Sequence, residues 1–460
     1  MLLEKDEHLQ AENRTSSKSL VKSFGNVVAF KLSEKKFLGF HVENMQVAEL
    51  DPAIWNLIDQ NSFVPNSNST ENEMWSEVVS WSEEKDPNVT DMHIKQKVRA
   101  LSINVTQVCN LKCTYCAAGG DGTYGSKITK IDISKVTPQI DLLLKRLDDG
   151  DKFSINFIGG EPLIYPAAIQ AMIEYTNELA APRGIKVRYE MTTNGTLVSS
   201  TIAEMLGRFG VNVTVSLDGP AEMNDLVRPT AGGLGSTEKC LKGVAELFKV
   251  KEQLGSLSVH SVFGSHNTEV FNTYVFLQKF KWDVIFFTYA TGPEDETYSP
   301  IYLRELLRTA EFAFKQGGER ALRKISQFND YFEILDSQKR MHNYCGAGKS
   351  VLQVDTQGKF YACNWFVGDK NEELGSGLKL DQEKISKYAE PLVKLNNCGD
   401  CWAKYLCGGG CMFVHRTKTQ DKHKKDPEFC TRTRSIIQKG LEYYEESRQF
   451  ENQGEPSEVY

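Results

Sequence analysis

The densest chemistry in the sequence is Cys109-Asn110-Leu111-Lys112-Cys113-Thr114-Tyr115-Cys116, three thiols within eight residues directly after the apolar run Leu101-Ser102-Ile103-Asn104-Val105. Thiolates on so short a loop can converge on one metal centre, and three of them leave a four-iron cubane one corner short. An iron with an open coordination site can hold a second molecule and pass it an electron. Zinc is the competing occupant, but it wants a fourth protein ligand and close-set ligand pairs. A second group of thiols comes late in the chain: Cys345, then Gly358 and Cys363, then Cys398, Cys401, Cys407 and Cys411, and finally Cys430. The spacing is Cys-x12-Gly-x4-Cys, a gap, Cys-x2-Cys-x5-Cys-x3-Cys, a gap, and Cys. A zinc ribbon would use Cys398 and Cys401 with one later pair and strand three thiols, whereas two clusters account for all seven. Cys240, in the helical pattern Lys239-Cys240-Leu241-Lys242-Gly243-Val244, reads as a core thiol.

Composition narrows the setting. A chain of 460 residues exceeds one typical domain and predicts two or three. Hydrophobic content of 40% and charged content of 25% describe an ordinary globular protein. No apolar run approaches membrane-spanning length, and Met1-Leu2-Leu3-Glu4-Lys5-Asp6-Glu7-His8 lacks the basic start and apolar middle of a signal peptide. The expectation is a cytoplasmic protein with no membrane partner, whose cysteines, Cys240 apart, serve as metal ligands rather than disulfides. A net charge of -7 does not favour nucleic acid, and the lysine-rich stretch from Arg416 to Lys425 reads as a solvated loop.

Elements must carry these thiols to one place. Residues 1–24 are polar and expected to fray. Three short strands are predicted near 27–30, 37–42 and 45–50, followed by a helix opened by Asp51 or Pro52 with apolar Ile54, Trp55, Leu57 and Ile58. After a Ser/Asn-rich linker from Pro65 to Thr70, Trp75 to Trp81 continues this module, bounded at 25–85, as a helix. From Leu101 strands and helices alternate, with strands at 101–106, 153–158, 185–192, 211–217, 257–263 and 283–289. Helices are predicted near 134–149, 166–181, 199–209, 236–253 and 268–281, and a sixth after Ser299. Such alternation predicts a parallel sheet, and six units are too few for a closed eight-unit barrel, so an open segment over 98–320 is expected.

A site on such a sheet should follow the strand ends, and the unusual residues do. Gly159-Gly160-Glu161-Pro162 follows the second strand, Thr192-Thr193-Asn194-Gly195-Thr196 the third and Ser216-Leu217-Asp218-Gly219-Pro220 the fourth. Paired glycines allow a ligand to approach backbone, and a following acid can take an ammonium group. Tyr289, Glu294 and Asp295 after the sixth strand are candidates to accept a proton, with Tyr289 and Asp295 carried forward as the catalytic pair. His342 and Tyr344 stand just before Cys345. A hairpin, 351–355 with 359–362, is expected around Gly358, and a helix from Ser435 to Phe450 closes the chain before a loose tail.

Cys109, Cys113, Tyr115 and Cys116 resemble the motif of the radical SAM superfamily, which binds a 4Fe-4S cluster whose open iron is chelated by S-adenosylmethionine. The resemblance implies that Gly159, Gly160, Glu161 and Pro162 meet the cofactor's amino group. It implies that Thr193, Asn194, Ser216 and Asp218 contact ribose and methionine, and that Arg228, after Asn224 and Asp225, meets the carboxylate. The late cysteines resemble the SPASM domain of radical SAM peptide-modifying enzymes, so the likeness extends over roughly 98–435. It implies two auxiliary 4Fe-4S clusters, the nearer on Cys345, Cys363 and Cys411 and the outer on Cys398, Cys401, Cys407 and Cys430; the fourth ligand of the nearer one stays open. The module at 25–85 resembles the winged-helix unit that holds a leader peptide by strand addition, with a plain sheet extension as the alternative.

The expected fold is therefore α/β: a partial (β/α)6 radical SAM barrel with a cysteine-rich SPASM domain at 340–435, a small α+β winged-helix-like module before it, and a helix and tail at 436–460. The expected function is maturation of a ribosomally made precursor peptide carrying a leader. Hydrogen abstraction by a 5'-deoxyadenosyl radical would yield a thioether or carbon-carbon crosslink or a backbone excision. Implied partners are an electron donor such as flavodoxin or ferredoxin and a separate small leader-binding protein. Anaerobic sulfatase maturation, which forms formylglycine, is the enzymatic alternative. An iron-sulfur electron carrier or redox sensor is the alternative of another class, and it has no use for Gly159-Gly160-Glu161-Pro162 or Thr193-Asn194.

Overall fold

The computed structural model describes residues 21–58, 69–92, 97–116, 130–290 and 296–452. Its first element is an antiparallel meander of β1 (Val21–Phe24), β2 (Val27–Lys31), β3 (Phe37–His41) and β4 (Gln46–Leu50). The central strands β2 and β3 read as apolar runs rather than alternating ones because both their faces are covered. Ala29, Phe37 and Leu50 pack with Ile54, Trp55 and Ile58 of the helix Pro52–Ile58 and with Val78 of the helix Ser69–Glu83. On the other face Val28, Phe30, Leu38 and Phe40 pack with Ile334, Leu406, Ile437 and Leu441 from the far end of the chain.

Four strands stand where three were expected. Val21–Phe24 lies within the stretch predicted to fray, but it pairs with β2 through Val21↔Phe30 and Phe24↔Val27. The polar Lys22 is held by its ammonium, which donates to the Trp55 carbonyl at 2.6 Å and sits 3.9 Å from the Trp55 ring centroid. Of the linker, Ser69 and Thr70 already belong to the second helix, and 65–68 lie outside the described residues.

After β5 (Thr90–Met92), the chain builds six parallel strands: β6 (Ala100–Thr106), β7 (Lys152–Gly159), β8 (Lys186–Thr193), β9 (Asn212–Ser216), β10 (Ser256–Phe263) and β11 (Ile285–Tyr289). The connecting helices are Ile133–Leu144, Pro166–Ala180, Ser200–Arg208, Thr237–Lys249 and Val270–Leu277, and Ser299–Leu322 follows the last strand. Side chains alternate along each strand. Leu101, Ile103, Phe153, Ile155, Val213, Val215, Leu257 and Val259 point outward into one core with Val136, Ile140, Ile169, Ile173, Leu206 and Leu247 from the helices. The intervening residues form a half-exposed inner wall. The arc is open, as the six units predicted, because β11 ends the sheet and β6 pairs elsewhere.

That other partner comes from the C-terminal region. β12 (Lys339–Met341) pairs with β5, and then β13 (Val351–Val354) lies parallel to β6 through Leu352↔Leu101. β14 (Lys359–Tyr361), β15 (Glu373–Ser376) and β16 (Lys379–Leu380) continue antiparallel, giving one sheet of ten strands. The expected hairpin around Gly358 is thus the extension of the barrel sheet, not a separate layer. Gln139 of the first connecting helix fastens it, donating through Nε2 to the carbonyls of Gly358 at 2.7 Å and Gly377 at 2.9 Å.

The closing helix runs over Pro427–Asn452, eight residues earlier at its start than apolar periodicity suggested. Asp426 caps it, accepting from the Phe429 N–H at 3.1 Å, and Pro427 suits the first helical position. The earlier start puts Cys430 in the first turn. Among the described residues no helix is long and apolar enough to cross a membrane.

Candidate functional site

The loop carrying Cys109, Cys113 and Cys116 leaves the end of β6 and is stitched on both sides by backbone. Gly160 N–H donates to the Thr106 carbonyl at 2.8 Å and Glu161 N–H to the Val108 carbonyl at 3.0 Å. On the other side Lys112 N–H reaches the Pro229 carbonyl at 2.8 Å and Thr114 N–H the Val227 carbonyl at 3.0 Å. The paired glycines serve this packing. A Cβ on Gly160 would lie 2.1 Å from the Val108 carbonyl oxygen, and one on Gly159, at φ +141°, 2.1 Å from that of Thr106. The close approach that the sequence reserved for a ligand is made by the thiol loop itself.

Donors and a cation face the sulfurs. Leu111 N–H lies 3.4 Å and Asn194 Nδ2 3.7 Å from Cys109 Sγ, and an Arg228 guanidinium nitrogen lies 3.9 Å from Cys113 Sγ. Burial pushes the Cys109 thiol up to about 12, and it pushes Cys113 up as well, with the neighbouring thiols adding to both. Such thiols give up their protons when a cationic centre takes their place. Among the described residues no three His, Cys, Asp or Glu side chains are gathered so that they could hold a single ion. Three thiols flanked by donors and a guanidinium fit a cubane with one open corner, whereas a closed zinc site takes a fourth protein ligand.

The strand-end residues form one network around the loop. Glu161, 1% exposed, accepts from Leu163 N–H at 3.0 Å, the Thr193 hydroxyl at 2.7 Å and Asn194 N–H at 2.7 Å. A carboxylate offers about four acceptor positions, which leaves Glu161 one. Asn194 also donates to Asn110 Oδ1 at 2.9 Å and accepts from the Thr196 hydroxyl at 2.7 Å. Asn110 and Thr196 were missed in the sequence, although both lie inside the motifs quoted.

Asp218 and Arg228, expected as separate cofactor contacts, are brought together as a buried pair. Arg228 donates through Nε at 2.8 Å and through a terminal nitrogen at 3.1 Å, Tyr115 donates its hydroxyl at 2.6 Å, and Val262 N–H donates at 2.9 Å. Four donors fill the carboxylate, so Asp218 orients Arg228 and Tyr115. Tyr115 also stacks on His266 with ring centroids 4.3 Å apart, so the residue between Thr114 and Cys116 is held by its hydroxyl and by one ring face. Ser216 is half-buried, and its hydroxyl bonds to no described residue, so it stays available to a ligand.

The late thiols fall into two sets. Burial raises Cys363 to about 12 with Cys411 and Cys345 contributing, and Cys411 to about 11 with Cys345 contributing. Cys398, Cys401, Cys407 and Cys430 instead line a cavity of about 330 Å³ rimmed by Lys404, Lys425 and Arg434, cations that suit an anionic thiolate cluster. Tyr289 ends β11, where the Arg432 guanidinium lies 4.7 Å from its ring and Tyr302 packs at 5.4 Å. His342 is 2.8 Å from Asp91 of β5, and the Tyr344 ring meets Phe429 edge-on at 6.0 Å. Glu294, Asp295 and the stretch Ala117 to Gly122 lie outside the described residues.

Residues 103–269 match the radical SAM superfamily. The chain is 24% identical over 389 residues to the radical SAM cyclopropyl synthase TigE of Paramaledivibacter caminithermalis, spanning 80% of this chain and 79% of that protein. It is 25% identical over 325 residues to the cysteine-type anaerobic sulfatase-maturating enzyme of Clostridium perfringens, spanning 66% and 85%. The solved structure of anSMEcpe with bound AdoMet and Kp18Cys peptide shares the fold, with a TM-score of 0.61 at 21% identity over 75% of this chain and 97% of that one. The three-thiol loop, the strand-end network around it and the family match meet in one place: residues 103–269 are a radical SAM domain.

Proposed function

We propose that this enzyme modifies a ribosomally made precursor peptide, with S-adenosylmethionine bound beside a 4Fe-4S cluster held by Cys109, Cys113 and Cys116. The observation that carries the reading is the single network joining the thiol loop to Glu161, Asn194 and Arg228 at neighbouring strand ends. When bound, the cluster and S-adenosylmethionine supply a 5'-deoxyadenosyl radical that takes a hydrogen atom from the peptide. Arg228, aligned by Asp218, compensates negative charge at Cys113. Glu161 has one acceptor position for an ammonium group, and the Ser216 hydroxyl is free for a ribose or carboxylate. The polar inner wall holds the peptide and limits water.

The finer assignments belong to the same proposal. Cys345, Cys363 and Cys411 would hold a nearer auxiliary 4Fe-4S cluster, and the cavity of Cys398, Cys401, Cys407 and Cys430 an outer one, within a SPASM region at 340–435. Centres held there would supply an acceptor for the electron left when a crosslink forms or the backbone is cut. The module at 25–85 would take the leader, alone or with a small leader-binding protein, and flavodoxin or ferredoxin would supply electrons. The relative that matures sulfatases supports a second substrate class, a Cys or Ser converted to formylglycine, which gives the module at 25–85 no role.

Anaerobic reconstitution with iron, sulfide, S-adenosylmethionine, a reductant and any small peptide found encoded beside this gene tests the reading by mass spectrometry. Loss of two hydrogens from the peptide indicates a crosslink and a larger loss indicates excision. Cys109→Ala is expected to abolish 5'-deoxyadenosine, whereas Cys345→Ala keeps it but stops peptide modification. A wild-type protein that forms no 5'-deoxyadenosine refutes the function, and peptide turnover by Cys345→Ala refutes the role of the nearer thiols.

A further inference from the structure

The inner wall of the open arc is polar: Ser154, Asn156, Thr192, Thr214, Ser216 and His260 stand half-exposed between the apolar residues that pack outward. His260 differs from the hydroxyl and amide groups beside it in carrying a ring nitrogen that, with its proton on the other nitrogen, can only accept. On β10 it lies in register with Ser216 of β9 and Phe286 of β11. Its Nε2 is 2.8 Å from the Thr288 hydroxyl, and the Phe286 ring stands edge-on with centroids 6.2 Å apart. Nδ1 bonds to no described residue. A ring that donates from Nε2 to Thr288 presents its Nδ1 lone pair to the chamber, one strand from the Ser216 hydroxyl.

Two larger polar side chains near the wall are engaged. Glu190 pairs with Arg188, and Tyr289 packs between Arg432 and Tyr302. Burial, and after it the charge of Arg228, pushes His260 down to about 4 against a smaller upward pull from Asp218. The imidazole is therefore neutral at physiological pH and keeps its acceptor.

We infer that His260 is a substrate-positioning residue that accepts a hydrogen bond from an N–H, O–H or S–H of the peptide residue brought to the radical. The assignment rests on the peptide-modifying reading above and adds the chemistry the target must offer. A site built to accept such a bond discriminates against a target lacking the donor, because the peptide that covers the chamber shuts water away from an acceptor that is then left unpaired.

The test measures binding of the neighbouring precursor peptide to the S-adenosylmethionine-loaded protein without reductant, then turnover with it. His260→Leu is expected to raise the peptide Kd and KM by about 10-fold or more, while 5'-deoxyadenosine release in the absence of peptide stays at the wild-type rate. His260→Gln, which keeps an acceptor, is expected to restore Kd to within about 3-fold of wild type. Wild-type Kd and KM in His260→Leu, or an equal loss in both variants, overturns the assignment. Absence of both peptide binding and 5'-deoxyadenosine in the wild type would instead remove the peptide-modifying reading beneath it.

Discussion

Single residues at this site act through how many partners they already have. Asp218 accepts from four donors and Glu161 from three, so two acids that look alike at strand ends differ in what they can offer a ligand. Burial pushes Glu161 from the ordinary 4.5 up to about 7, against the pull of its three donors. The folded chain therefore keeps a proton that the unfolded chain has released. The stability Glu161 contributes is full below about 4.5 and is lost as pH rises through about 7. Urea unfolding of the cofactor-free protein should show the advantage of wild type over Glu161→Gln shrinking across that window; an advantage that grows with pH refutes the shift. The motif was legible in sequence because its residues are consecutive, but its saturation was not, since the donors to Asp218 come from residues as distant as Tyr115 and Val262.

Elements explain why the glycines stand where they do. The end of β7 lies against the thiol loop so closely that a single methyl group at Gly160 meets the Val108 carbonyl at 2.1 Å and the Cys109 amide at 2.8 Å, both backbone atoms that cannot rotate away. Gly160→Ala is expected to displace the loop and to lower iron bound on reconstitution by about one cluster equivalent, while far-ultraviolet circular dichroism stays close to wild type. Unchanged iron content and S-adenosylmethionine cleavage would show that the loop tolerates the shift. The strands and helices between 100 and 322 follow the alternation read from sequence, because apolar period and turn residues are local. The parallel pairing of β13 with β6 was not readable, since it joins segments about 250 residues apart and neither pattern names its neighbour.

At the scale of the molecule, the N-terminal sheet is docked on the loop that carries Cys401 and Cys407. Trp402 meets Phe30 edge-on at 5.0 Å and Phe40 at 6.4 Å, and Glu43 pairs with Arg340 at 2.9 Å and Lys404 at 3.2 Å. Phe30 is fully buried, so Phe30→Ala should cost about 3–5 kcal/mol of stability and loosen the cavity of Cys398, Cys401, Cys407 and Cys430. Denaturant unfolding reads the first effect and iron content the second. A variant with wild-type stability would mean the two regions meet without supporting each other.

The sequence by itself determined the α/β order, the open six-strand arc and the thiol loop with its strand-end motifs, because each depends on spacing over a few residues. Only the tertiary structure decided that Asp218 and Arg228 pair, that the C-terminal hairpin extends the barrel sheet, that the N-terminal sheet rests on the outer thiols and that His260 keeps an open nitrogen. Those outcomes depend on which distant groups satisfy one another once water is excluded, and periodicity carries no record of that pairing.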